Sequence, residues 1–235
     1  MRSISGIYWE KGRRSLNQDS LVVHQVTTGR GRVILAAVSD GIGGLKEGEV
    51  ASGYILESIV HSFYEQLLLL IRKRRRTEFF KRCIFRSLEQ INRELNIYAR
   101  EKDIRLGATL SLLLIWKRRY MIVHIGDSRI YLCKRQMMKQ LTKDHGLGKG
   151  ITKCLGSFGF QRPDIRFGRI WGIRGFLLCT DGFYRKMDKS AAGEMLRAGD
   201  IENQFQIEKR LQRLGEMAMG QEEKDNLSAV YVKVW

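Results

Sequence analysis

The chain has 235 residues, enough for one domain with a substantial core. Its 43% hydrophobic content and single proline, Pro163, exclude a disordered tail or a Pro-rich linker. Forty-two Lys and Arg against 25 Asp and Glu give a net charge of +17, which favours anionic partners without choosing among them.

The N-terminal "MRSISGIYWEKG" lacks the apolar centre of a secretory signal, and the apolar run at 110–116 is too short to cross a bilayer. A single domain over 1–235, cytoplasmic and without a membrane span, is expected. Cys83, Cys133, Cys154 and Cys179 are far apart with no CxxC pair, and only four histidines accompany them. Reduced, mostly buried thiols follow, not zinc ligands or disulfides.

In chain order, "RRSLNQDS" (13–20) is a polar octet that reads in isolation as a loop before the strand "SLVVHQV". "VILAAV" (33–38) is a buried strand halted by the glycine turn "SDGIGG". A helix follows, with rows at 51, 55, 59, 63, 67 and at 52, 56, 60, 64, 68 forming one broad apolar face, and Glu47 and Glu49 near its positive end. "RKRRR" (72–76) has no interleaved aromatics and reads as a solvated connection between helices, so no nucleic-acid role is expected. Phe80, Ile84, Leu88, Ile91, Leu95 and Tyr98 mark a second helix to about Arg100.

Strands then dominate: 108–116, 120–125, 129–133 and 138–142, joined by tight polar turns that predict a meander. Two more strands are expected at 164–170 and 176–180, helices at about 188–198 and 203–219, and a final strand "LSAVYVKV". Together these predict an α+β fold, a two-sheet antiparallel β-sandwich flanked by helices.

Five aspartates punctuate the strand ends. Asp40 and Asp181 each stand before a glycine after an apolar run, Asp127 follows "YMIVHI", Asp225 precedes the last strand, and Asp19 opens an early one. One Asp-Gly is a turn signal; five acids at strand ends place carboxylates near one another on one rim. Such a cluster, without His or Cys, requires a hard cation, Mg²⁺ or Mn²⁺, and two ions would activate a shared water for attack on phosphorus. Gly41 leaves a backbone carbonyl approachable, and Arg14 offers a bidentate fork for phosphate.

With these residues the chain resembles the metal-dependent serine/threonine protein phosphatases of type 2C, bacterial branch. The motifs run in the family's order: "RSLNQD", "SDGIGG", "GATL", "GDSRIYL", "LTKDH", "CLG", "LLCTDGF" and "KDNLSAV". The resemblance implies that Asp40 bridges two metals, Gly41 gives its carbonyl to one, and Asp181 and Asp225 hold the other. It implies that Arg14 binds the substrate phosphate, Asp19 orients water on the metals, and Asp127 helps hold a third, weaker ion. Gln18 stands where some relatives have Glu, and Asn226 is the usual companion of the last aspartate. Gly107 and Thr109 are expected to serve packing.

Two departures stand out. Ile42 occupies a position where eukaryotic members often carry a histidine, so leaving-group protonation is expected to fall to a metal-bound water or another group; His145 is a candidate by motif only, and a structural role is the favoured reading of it. Only "GLGKGITK" (146–153) stands where the family has a longer flap, so a more open cleft, altered gating and an altered third-metal site are expected. The expected activity is hydrolysis of phosphoserine and phosphothreonine in phosphorylated proteins by a hydroxide bridging two Mn or Mg ions. The expected partners are a Ser/Thr kinase and its substrates; the alternative is a noncatalytic, phosphoprotein-binding pseudophosphatase.

Overall fold

The structure is a computed structural model describing residues 1–42, 45–135, 137–147, 150–156 and 159–235. Strands β1 (Ser3–Glu10), β2 (Asp19–Thr28) and β3 (Gly31–Asp40) come first. Helix α1 (Gly48–Ser62) continues through a π-helical turn (Phe63–Leu67) into α2 (Leu68–Arg72), and α3 (Thr77–Glu101) follows. Next are β4 (Gly107–Ala108), β5 (Leu110–Trp116), β6 (Arg119–Ile125), β7 (Arg129–Lys134) and β8 (Met137–Gln140). The short pieces β9 (Gly146–Leu147), β10 (Gly150–Ile151) and β11 (Leu155–Gly156) precede β12 (Asp164–Arg169) and β13 (Arg174–Cys179). Helices α4 (Asp181–Tyr184), α5 (Lys189–Met195) and α6 (Gln204–Gly220) lead to β14 (Leu227–Val234).

Two five-stranded antiparallel sheets, in the orders β1-β14-β13-β7-β8 and β12-β6-β5-β3-β2, pack face to face. The expected α+β sandwich is present. Ile34, Ala36, Val38, Leu113, Ile115, Phe176, Leu178, Val230 and Val232 fill the space between the sheets. Their alternates Leu35, Ala37, Leu112 and Leu114 face α1 and α3, meeting Ile55, Ile59, Phe63, Leu88 and Ile91. On the other side Tyr131, Leu177, Cys179, Ala229 and Tyr231 meet Ile207 and Leu211 of α6. Burial on both faces is why "VILAAV" and "LSLLLIW" are apolar at every position instead of alternating. The continuous helix 48–72 is apolar enough in length and composition to suit a bilayer, but Ala51, Ile55, Ile59, Phe63 and Leu67 lie in the core.

The structure changes several expected elements. β1 was not foreseen as a strand; "SISGIYWE" mixes small, polar and aromatic residues, and it pairs along its whole length with β14. The second helical row is not buried throughout, since Tyr64 is exposed. The meander is two hairpins in different sheets: β5 pairs with β6, β7 with β8, and the chain changes sheets between Ile125 and Arg129. Gly126 allows the change, because its φ of 112° suits no other residue and a Cβ there would lie 2.5 Å from Thr109 Cγ2. Cys133, Cys154 and Cys179 are buried and Cys83 half-buried, none in a disulfide, as expected. Lys73–Arg76 form the exposed turn between α2 and α3. Gly146–Leu147 pairs antiparallel with Gly150–Ile151, and 148 and 149 of the expected shortened flap lie outside the described residues.

Candidate metal and phosphate site

The register of β2 and β3 sets Asp19 opposite Asp40, so two strands end one rim of the sandwich with facing carboxylates. Asp127 lies in the crossing from β6 to β7, Asp181 begins α4 directly after β13, and Asp225 stands two residues before β14. The other four act on Asp40 electrostatically: it is pushed well above the usual carboxylate range by burial, then by Asp19, Asp181, Asp127 and Asp225. Asp19 is pushed up to about 7, chiefly by burial, against a hydrogen bond from Thr180 that favours its charged form. Asp181 is pushed up to about 6 by burial, an effect that Arg185 opposes and Asp127 and Asp225 reinforce.

Backbone contacts hold residue 40 in place. Its N–H donates to Thr109 Oγ1 (3.0 Å), its carbonyl accepts from the Thr109 N–H (2.9 Å), and Thr109 Oγ1 meets Ser128 Oγ at 2.7 Å beside Asp127. Thr109 therefore ties Asp40 to the Asp127 crossing, beyond the packing role expected of it. The Gly41 N–H donates to the Gln18 carbonyl (3.1 Å), and a Cβ at Gly41 would lie 2.6 Å from the Gly48 backbone. Thr180 Oγ1 donates to Asp19 Oδ2 (2.8 Å) and accepts from the Ser228 N–H (3.1 Å), linking β2 to the other sheet.

The octet at 13–20 is stapled by Asn226. Its Oδ1 accepts from the Gln18 N–H (2.9 Å), while Nδ2 donates to the carbonyls of Lys11 (2.8 Å) and Leu16 (3.0 Å). Gln18 itself points its amide at Glu49 Oε2 (3.3 Å). Arg14 lies at the exposed edge with its fork closed on Asp225, Nε to Oδ1 at 3.0 Å and Nη2 to Oδ2 at 3.1 Å. The guanidinium expected to take phosphate is thus engaged by a carboxylate of the same rim. His145 accepts the Gly126 N–H on Nδ1 (3.2 Å), stacks on His124 at 4.9 Å and lies 3.4 Å from Asp164, which makes it a brace for the sheet crossing.

Two residues of the rim were not foreseen. Arg185, one helical turn after Asp181, pairs with Asp181 and reaches Glu223 (3.2 Å) and Asp225 (3.7 Å). Glu223 is buried and accepts the N–H groups of Lys224 (2.9 Å) and Asp225 (3.1 Å), shaping the turn before β14. The i,i+4 spacing of Asp181 and Arg185 was a readable signal; nothing in the sequence marked Glu223.

Among the described residues no three His, Cys, Asp or Glu side chains already converge on a metal-sized centre. The donor set nevertheless fits hard cations. It is all oxygen, burial and the other four carboxylates together raise the proton affinity of Asp40, and Asp127 Oδ1 is buried without a hydrogen-bond partner. Asp40, Asp181, Asp225, Asp127 and the Gly41 carbonyl all supply oxygen donors at this rim.

The family model described as protein phosphatase 2C matches residues 11–229. A serine/threonine phosphatase stp of Listeria innocua is 30% identical over 187 residues, 70% of this chain and 72% of that protein. The crystal structure of the serine/threonine phosphatase Stp1 from Staphylococcus aureus superposes with a TM-score of 0.84 at 22% identity, covering 100% of this chain and 96% of that one. The catalytic domain of the serine/threonine protein phosphatase PstP, solved with two manganese ions, superposes with a TM-score of 0.75 at 24% identity, covering 99% of each chain.

Proposed function

Since the chain belongs to the protein phosphatase 2C family, we propose that its carboxylate rim hydrolyses phosphoserine and phosphothreonine esters of proteins with two divalent cations, Mn²⁺ or Mg²⁺. The observation that carries this reading is the facing pair Asp19 and Asp40, joined on the same rim by Asp181, Asp225 and Asp127. When bound, the cations supply charge neutralisation and an activated nucleophile at neutral pH. Asp40, Asp181, Asp225 and the Gly41 carbonyl are the holding groups. Asp19, its carboxylate fixed by the hydrogen bond from Thr180, is suited to orient an attacking water.

Arg14 binds the phosphate in this reading by exchanging Asp225 for the substrate's oxygens, which its exposed position allows. Arg14→Ala is expected to raise KM and reduce kcat/KM for a phosphothreonine peptide roughly 10- to 100-fold. An unchanged KM would remove it from the substrate site. Loss of turnover of a small aryl phosphate in EDTA and its return with Mn²⁺ tests the metal requirement; activity that resists the chelator would overturn the reading.

One observation favours a second reading, a noncatalytic phosphoprotein-binding module. Arg185 supplies the rim with its own cation against Asp181, Glu223 and Asp225. Arg185→Ala is expected to tighten Mn²⁺ binding about tenfold by calorimetry, because a tethered competitor is removed. Wild-type protein that binds neither Mn²⁺ nor Mg²⁺ by that method, while still binding phosphopeptide, would establish the noncatalytic reading instead.

A further inference from the structure

We propose that the end of the sandwich opposite the carboxylate rim docks on an anionic lipid bilayer. β2 runs from Asp19 on the rim to Thr28, and β3 returns from Gly31 to Asp40, so their turn lies a full strand away, roughly 30 Å for ten residues. The same end collects the β5–β6 turn, since Trp116 pairs with Arg119 and Val33 with Trp116. It also collects the link from β12 to β13, since Arg169 pairs with Arg119 and the Ile170 N–H donates to the Arg118 carbonyl (2.8 Å). The turn between α2 and α3 joins them: Arg74 and Arg75 share one depression with Lys117 and Arg119, and Lys117 also borders hollows lined by Arg30 and Trp235 and by Arg169 and Trp171.

The four segments are "TGRGR" (28–32), "RKRRR" (72–76), "KRR" (117–119) and "RIWGIR" (169–174). They hold twelve Lys and Arg and no Asp or Glu. No ion pair between described residues uses any of the twelve. Near this end Asp200 and Glu202 act on Lys233, and Glu78 pairs with Lys81. A concentration of cations that the fold does not neutralise is complementary to a polyanionic surface.

Bulky apolar groups project from the same surface. Trp171 is 61% exposed, Ile173 45% and Trp235 40%, with the Lys233 ammonium 4.8 Å from the Trp235 ring. Tryptophan and arginine at the level of lipid headgroups, with an aliphatic side chain beside them, are the groups that anchor proteins at an interface. A nucleic acid would use the cations and stack on the rings, but it gives Ile173 no partner. Lipid satisfies all three groups at once. Docked this way, the carboxylate rim faces away from the membrane and stays accessible, and the proposal does not depend on the rim being catalytic.

The test is sedimentation of the full chain with vesicles of phosphatidylcholine alone and with vesicles containing phosphatidylglycerol. Binding is expected only to the latter and should weaken as salt rises. The pair Arg118→Glu and Arg119→Glu should lower partitioning about tenfold or more. Trp171→Ala should lower it several-fold and reduce the lipid-induced blue shift of tryptophan emission. Lys117→Glu with Arg169→Glu is an independent second variant, and far-UV circular dichroism checks that each is folded. Failure to sediment with phosphatidylglycerol vesicles at low salt, or binding indifferent to both charge-reversed pairs and to Trp171→Ala, would overturn the proposal. So would tighter binding to a single-stranded oligonucleotide than to the vesicles.

Discussion

Asp40→Asn is expected to reduce phosphomonoester hydrolysis at least about 10³-fold, yet to leave a folded chain that, in chelator, melts a few degrees above the wild type. The two effects share one cause. Burial first, and then the surrounding Asp19, Asp181, Asp127 and Asp225, raise the cost of ionising Asp40. Without a bound cation the native state must either tolerate a buried charge at residue 40 or take up a proton there, and a neutral amide removes that cost. The hydrogen bonds holding residue 40 run through its backbone N–H and carbonyl to Thr109, and a neutral side chain of equal size leaves them in place. Steady-state kinetics with Mn²⁺ and calorimetric melting in EDTA check the two halves. A variant that is inactive and also less stable in EDTA would show residue 40 to be chiefly structural.

The second large effect is an inverted dependence of stability on pH. In the native state Asp19 is pushed up to about 7 and Asp181 up to about 6, whereas both return to about 3.8 when the chain unfolds. Between these values the native protein binds more protons than the unfolded one, so its stability falls as pH rises through the window. The contribution is fully present below about pH 4 and lost above about pH 7; a three-unit shift corresponds to something on the order of 4 kcal/mol. Divalent cations bind the deprotonated acids, so their stabilisation grows in the opposite direction. Melting curves at pH 5 and pH 8 should therefore rank in one order in EDTA and in the reverse order in Mn²⁺. The same ranking in both would mean that the acids do not interact as the rim geometry requires.

The sandwich and the rim were legible in the chain for a physical reason. Strands buried on both faces leave long apolar runs, and the acids that end them, Asp40 and Asp181, stand out against that background. What was not legible depends on pairing between distant segments. β1 becomes a strand because β14 receives it, and neither its composition nor its spacing announces this. The crossing at Gly126 looks in sequence like any tight hairpin; only its positive φ and the Thr109 side chain against it send the chain to the other sheet. Glu223 was hidden likewise, since a buried acid supported by Arg185 and two backbone N–H groups leaves no periodic mark.

The Asn226 staple also has a bearing on time. It fixes Lys11, Leu16 and Gln18, and Arg14 meets Asp225 within the same few ångströms, so the first and last tenths of the chain meet at the rim. During synthesis Asp19, Asp40 and Asp127 emerge long before their partners. A nascent chain therefore carries an unassembled rim until β14 has left the ribosome and can pair with β1 and β13.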